Sequence, residues 1–189
     1  MDNKALVMLS GGLDSATCLY WAKSKFTEIS AITFNYFGRL EIEKQAAAKL
    51  AHYASIGELI EIDLPFLKEA SDFYRGQLKT TDSDGLWSSY VPARNMIFYS
   101  IAAHFAECLG IKWIIGGHNM HDVKFFKDAS KEYIEKINHL FQEGCLLCDD
   151  KPYQIVLPLA EMNRKEIVKF AIELKIPVEL TWSCHREGD

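Results

Sequence analysis

A five-residue apolar run, Ala5 to Leu9, breaks directly into Ser10-Gly11-Gly12-Leu13-Asp14-Ser15, after which Ala16, Leu19, Ala22 and Phe26 return at helical spacing. The run reads as a strand buried on both faces, the glycines as a sharp turn, and the spacing that follows as a helix. A strand, a glycine turn and a helix constrain the chain to an α/β fold. The rest of the sequence repeats the alternation. Strands are expected at Ile29 to Phe34, Leu59 to Ile62, Trp113 to Ile115 and Tyr153 to Val156. Between them lie helices from Glu41 to Tyr53, Asn95 to Leu109 and Ser130 to Phe141. A last helix opens at Asn163, with Glu166 completing a capping box, and ends before Pro177. Ile97, Ile101, Phe105 and Cys108 are expected to be the buried stripe of the long helix, and Gly116 to Lys127 a loop. The expected fold is a doubly wound parallel sheet of about five strands, Rossmann-like, in a single domain over residues 1–189.

Composition enters by exclusion. Hydrophobic residues at 49% and charged residues at 25% of 189 positions rule out a disordered or low-complexity chain. A formal net charge of -5 argues against a nucleic-acid partner, though a small anion can still be held locally. No run reaches the roughly 18 apolar residues a membrane span needs. The cysteines Cys18, Cys108, Cys145, Cys148 and Cys184 are odd in number and unpaired in spacing, which suits a reducing, cytoplasmic compartment.

Adjacent glycines let a backbone approach a ligand closely, and the helix behind them offers unpaired amides and the positive end of its dipole. The geometry favours phosphate. Ser10 and Ser15 add hydroxyls, and Asp14 stands where a magnesium ion bridging phosphate oxygens would need a ligand. The bland alternative is a strand-to-helix turn in which Asp or Ser caps the helix. A Walker loop would end in Gly-Lys-Ser or Gly-Lys-Thr, and a dinucleotide fingerprint would read Gly-x-Gly-x-x-Gly; the sequence has neither here. Arg94, a cation at the positive end of a helix, calls for an anionic ligand or an acidic partner. Asn119 and Asp122 follow the fourth strand, at the edge where ligands bind open parallel sheets. Asp128 and Glu132, four apart, are expected on one helical face, while His118 and His121 read as residues of a solvent-facing loop.

Ser-Gly-Gly-x-Asp-Ser after a first strand resembles the signature of the PP-loop ATP pyrophosphatases, and within them the chain is similar to the 7-cyano-7-deazaguanine synthase family of queuosine and archaeosine biosynthesis. The similarity runs through Phe34 and Tyr36, Tyr90-Val91-Pro92-Ala93-Arg94-Asn95, Gly117, Asn119, Asp122, Asp128, Glu132, Tyr133 and Thr181-Trp182-Ser183-Cys184. The resemblance implies an adenine-nucleotide alpha-hydrolase-like fold and an ATP site at Leu9, Ser10, Gly11, Gly12, Leu13, Asp14 and Ser15. It implies catalytic roles for Asp14, Ser15 and Arg94, and substrate contacts from Tyr36, Arg94, Asn95, Asn119, Asp122, Asp128 and Glu132. The implied reaction turns 7-carboxy-7-deazaguanine and ammonia into the nitrile through adenylated intermediates. Magnesium at Asp14 and zinc at Cys184 are the implied metals, the other zinc ligands lying past Asp189. Cys145, Cys148, Cys184 and His185 form an alternative ligand set, and a homodimer stays open.

Two stretches depart from the family pattern. Tyr36-Phe37-Gly38-Arg39-Leu40, with Glu43 downstream, stands where the family carries Tyr-Gly-Gln-x-His, and Phe125-Phe126-Lys127 precedes Asp128, with Ser130 at an arginine position. Both fall on the side expected to meet the substrate. An amidating or thiolating enzyme with another acceptor, or a silent nucleotide-binding protein, are the alternative readings.

Overall fold

The computed structural model describes residues 3–68, 91–144 and 153–182. Strands and helices alternate as β1 (Lys4–Met8), α1 (Leu13–Lys23), β2 (Glu28–Asn35), α2 (Glu41–Tyr53) and β3 (Glu58–Asp63). They continue through α3 (Arg94–Cys108), β4 (Trp113–Ile115), α4 (Met120–Phe125), α5 (Lys131–Gly144), β5 (Gln154–Val156) and α6 (Arg164–Glu173). Single 3₁₀ turns occupy Lys127–Ala129 and Val178–Leu180. The strands form one parallel sheet in the order β3-β2-β1-β4-β5. Strand order therefore reverses between β1 and β4, and a crevice opens at their carboxyl ends.

Alternation along β1 divides the core into two layers. Ala5, Val7 and Leu9 pack with α1, α2 and α6 through Ala16, Leu19, Ala47, Leu50, Ile167 and Ala171. Leu6 faces the opposite layer, where Tyr99, Ala102 and Ala106 of α3 meet Ile134 and Ile137 of α5. Helices on both faces explain why the central strands read as unbroken apolar runs. Among the described residues no helix is long and apolar enough to cross a membrane.

Three expectations are corrected. The buried face of α3 is Asn95, Tyr99, Ala102, Ala103 and Ala106, while Cys108 is exposed. This helix is apolar nearly all round, so spacing alone does not fix its phase; the small alanines let it sit close to the sheet. A helix, α4, interrupts the expected loop, because Asn119 and Asp122 form a capping box. Asp128 lies in the 3₁₀ turn and Glu132 in the first turn of α5, so they do not share one helical face.

Candidate active site

Every element of the glycine loop is held by the one next to it. Gly12 is the N-cap of α1. Gly11 has φ 99°, and a Cβ there would run into the Glu43 carbonyl of α2, so only glycine fits. The Ser15 hydroxyl donates to the Gly12 carbonyl at 2.9 Å and accepts from the Ser10 amide at 3.2 Å. The Ser10 hydroxyl donates to Ser15 Oγ at 3.0 Å and accepts from the Gly12 amide at 3.3 Å. Both hydroxyls thus brace the loop at the amino terminus of α1, the end of a helix that favours an anion. The Trp182 amide fastens the far end of the chain to the Gly11 carbonyl at 2.9 Å.

Asp14 leaves the first turn of α1 toward the loop after β4. The Asn119 amide donates to Asp14 Oδ2 at 3.0 Å. Asn119 is buried and spends its other side-chain atom on the amides of His121 and Asp122, at 2.7 and 3.4 Å. Asp122 Oδ2 in turn accepts from the backbone N–H of Asn119 at 3.1 Å. Burial, then the Asp122 charge, push the Asp14 carboxyl up to about 6 from 3.8, while the Asn119 hydrogen bond and Arg164 pull the other way. A cation placed beside this carboxyl would favour its ionised form.

A cavity of about 280 Å³ lies beside these groups at the switch point, lined in part by Ser10, Asp14, Ser15, Tyr36, Arg94 and Asn95. Arg94, the first residue of α3, donates to the Tyr36 hydroxyl at 3.4 Å, and Ala93 before it adopts the left-handed φ 54°. Such strain in an alanine persists where the surroundings fix the chain direction. The structure therefore brings Asp14, Ser15, Tyr36, Arg94 and Asn95 to one cavity wall, with Asn119 and Asp122 bonded to its edge. Asp128 and Glu132 do not line it; Glu132 is exposed.

Sequence reasoning missed several cavity residues. Arg39 donates to the Phe34 carbonyl at 2.6 Å, Asn35 Oδ1 at 3.0 Å and the Ser10 carbonyl at 3.1 Å, tying the loop after β2 to the glycine loop. Burial pushes its guanidinium below its ordinary range, against Glu43 and Tyr36. Thr33 and Tyr99 line the cavity with buried hydroxyls that find no partner among the described residues. A Cβ at Gly116 would collide with the Tyr99 hydroxyl, so the close approach of α3 to β4 also requires glycine. His118 lines the cavity and is not solvent-facing. For Arg39, Gly116 and His118 the sequence cue is position beyond the carboxyl end of a strand, whereas Thr33 lies within β2 and Tyr99 within α3.

Magnesium fits the donor set at the loop. A hard cation bound mainly through phosphate oxygens and water needs one or two protein carboxylates, and Asp14 supplies one beside an anion-binding helix start. Among the described residues no group of three or more His, Cys, Asp or Glu side chains gathers as a metal cage. Cys145, Cys148, Cys184 and His185, the residues of the zinc expectation, lie outside the described residues.

Residues 4–189 match the family described as queuosine biosynthesis protein QueC. The 7-cyano-7-deazaguanine synthase of Nostoc punctiforme is 35% identical over 195 residues, covering 98% of this chain and 87% of that protein. That of Thermoplasma volcanium is 32% identical over 191 residues, covering 98% and 79%. Among solved structures, a 4-thiouridine synthetase in complex with RNA and bound ATP aligns with TM-score 0.58 and 20% identity, over 94% of this chain and 42% of that one. That likeness concerns the fold alone.

Proposed function

We propose, from the premise that this chain belongs to the QueC family of queuosine biosynthesis proteins, that it is an ATP-dependent ligase converting 7-carboxy-7-deazaguanine and ammonia into 7-cyano-7-deazaguanine. The observation that carries the reading is the meeting of an anion-binding glycine loop, the Asp14 carboxylate and the Arg94 guanidinium at one cavity on the switch point of the sheet.

The reaction needs a carboxylate oxygen to attack the α phosphate of ATP, forming an acyl adenylate and releasing pyrophosphate. Ammonia then displaces AMP to give the amide. The amide oxygen attacks a second ATP, and loss of the second AMP leaves the nitrile. In this reading the α1 amides hold pyrophosphate as charge builds on it. Arg39 and the serine pair keep the loop in one geometry before ATP arrives, so no reorganisation is needed at the moment of reaction. Arg94, steadied by Tyr36, faces the anionic groups of nucleotide and substrate. Magnesium, held by Asp14 and phosphate oxygens, would supply charge neutralisation. Asn119 positions Asp14, to which its side-chain amide donates. The unpartnered Thr33 and Tyr99 hydroxyls are suited to a polar heterocycle edge. For the tail we propose a zinc ion with Cys184 as one thiolate ligand; metal analysis of the purified protein, with and without Cys184→Ala, tests this.

Incubation with ATP, magnesium, ammonia and 7-carboxy-7-deazaguanine, followed by mass analysis, tests the main reading. The amide should appear first and the nitrile after it. Absence of both from metal-replete protein would overturn it.

A further inference from the structure

Nitrogen chemistry leaves protons behind. When ammonia attacks the acyl adenylate, the new C–N bond forms, the C–O bond to AMP breaks with its electron pair going to the nucleotide, and the nitrogen sheds a proton. In the dehydration half the amide nitrogen loses one proton as its oxygen takes up the second adenylyl group; the remaining N–H bond of the imidoyl adenylate then breaks, its electron pair becomes the third C–N bond, and AMP again departs with the C–O pair. Three protons per nitrile therefore need an acceptor on the substrate side of the cavity. The glycine loop does not offer one: its hydroxyls are engaged with each other, and Asp14 is the carboxylate that faces the phosphate and its cation.

His118 stands where such an acceptor is needed. It lines the cavity with Asp14, Ser15 and Arg94, and its side chain keeps only 19% of its exposure. Nδ1 lies 3.9 Å from Asp122 Oδ2, and the ring meets the Tyr99 ring edge to face at 5.8 Å between centroids. Asp122 is itself fixed by the backbone N–H of Asn119. Nδ1 sits nearest the carboxylate, beyond hydrogen-bond length, which leaves Nε2 as the nitrogen to take a proton.

We propose that His118 is the general base of both nitrogen-forming steps, with Asp122 as the residue that orients it. This rests on the amide- and nitrile-forming reading above. The groups that face His118 are Asp122 of α4, Asp128 of the 3₁₀ turn, Arg94 and Tyr99 of α3, and Asp14 of α1 at the cavity wall. Burial, aided by Arg94, holds the imidazole below its ordinary range against the pull of Asp122 and Asp128, so it is neutral and able to accept a proton at neutral pH. His121 has no such setting: its ring packs on Phe125 and is absent from the cavity wall.

His118→Gln provides the test, because glutamine fills similar space and accepts no proton. Pyrophosphate exchange into ATP driven by 7-carboxy-7-deazaguanine involves no nitrogen nucleophile and should stay within about twofold of the parent rate, which also reports folding. Amide formation from ammonia should fall by about 100-fold or more. Hydroxylamine, largely unprotonated and strongly nucleophilic at neutral pH, should form the hydroxamate at close to the parent rate in the variant. In Asp122→Asn the acidic limb of the ammonia reaction should move relative to that of the hydroxylamine reaction, since any shift of the Asp14 carboxyl on loss of the Asp122 charge is common to both. Equal losses with ammonia and hydroxylamine, or an undiminished ammonia rate, would overturn the assignment. If the parent protein shows no exchange with this carboxylate, the reading of the reaction fails first and the base assignment with it.

Discussion

The loops after β1 and β4 face each other across the switch point, and each runs into the amino terminus of a helix. After β1 the working groups are backbone amides, set by two glycines and braced by two serine hydroxyls that bond to each other. After β4 they are side chains: Asn119 and Asp122 close a capping box, Asn119 reaches on to Asp14, and His118 faces the cavity. In the proposed reading the first loop is a mould for phosphate built from backbone, with Asp14 as its titrating carboxyl. The second is a titratable network, and its Asn119–Asp14 bond couples it to the first. A site that must activate an oxygen with ATP and then deprotonate a nitrogen has a physical reason to divide the work this way.

The largest effect should come from the mould. Gly11→Ala forces an alanine to φ 99° and drives its Cβ into the Glu43 carbonyl. Pyrophosphate exchange should be lost and stability should drop by about 1–3 kcal/mol, read from denaturant unfolding. Next is the coupling residue: Asp14→Asn should lower exchange by about 100-fold or more without unfolding the protein. Its stability signature has a definite sign. A folded-state carboxyl raised from 3.8 to about 6 favours the fold when protonated, and that contribution is lost as pH rises through this window. The asparagine variant stays neutral, so across the window it should gain on the parent by up to about 3 kcal/mol.

Two capping boxes then separate function from folding. Asn119 on α4 and Asn163 on α6 make the same pair of bonds to the second and third amides of their helices, but only Asn119 also bonds Asp14. Asn119→Ala should cost about 1 kcal/mol of stability and reduce exchange several-fold. It should also move the acidic limb of the exchange rate to higher pH, because the lost hydrogen bond was holding the Asp14 carboxyl down. Asn163→Ala should cost about the same 1 kcal/mol and leave the rate and its pH profile alone. Matching rate losses in the two variants would dissolve the distinction between the loops.

How much of this could be read from the sequence follows the same division. The glycine loop was legible because backbone chemistry requires particular residues at fixed spacing: Gly11 is dictated by a steric contact and Ser15 by its bonds across the turn. The strands β1, β2, β4 and β5 announce themselves by apolar runs that a doubly covered sheet demands. His118 was not legible, since its character is conferred by Arg94 and Tyr99 on α3 as well as by its neighbour Asp122. Arg39 likewise acquires its role from the Ser10 carbonyl, twenty-nine positions away. The six residues of α4 are too few for periodicity to register, yet Asn119 and Asp122 carry the same three-residue spacing that marks Asn163 and Glu166. The phase of α3 was hidden because apolar residues surround it, and only the approach of the sheet selects Tyr99 and its alanines.

The central claim is that one phosphate mould serves two successive activations of the same carbon. It is tested most directly by supplying 7-carboxy-7-deazaguanine with heavy oxygen in its carboxylate and following the label. The account predicts two AMP molecules for each nitrile, each carrying one substrate oxygen in its phosphate, with unlabelled pyrophosphate. Label in pyrophosphate or in water, or a single AMP per nitrile, would contradict it.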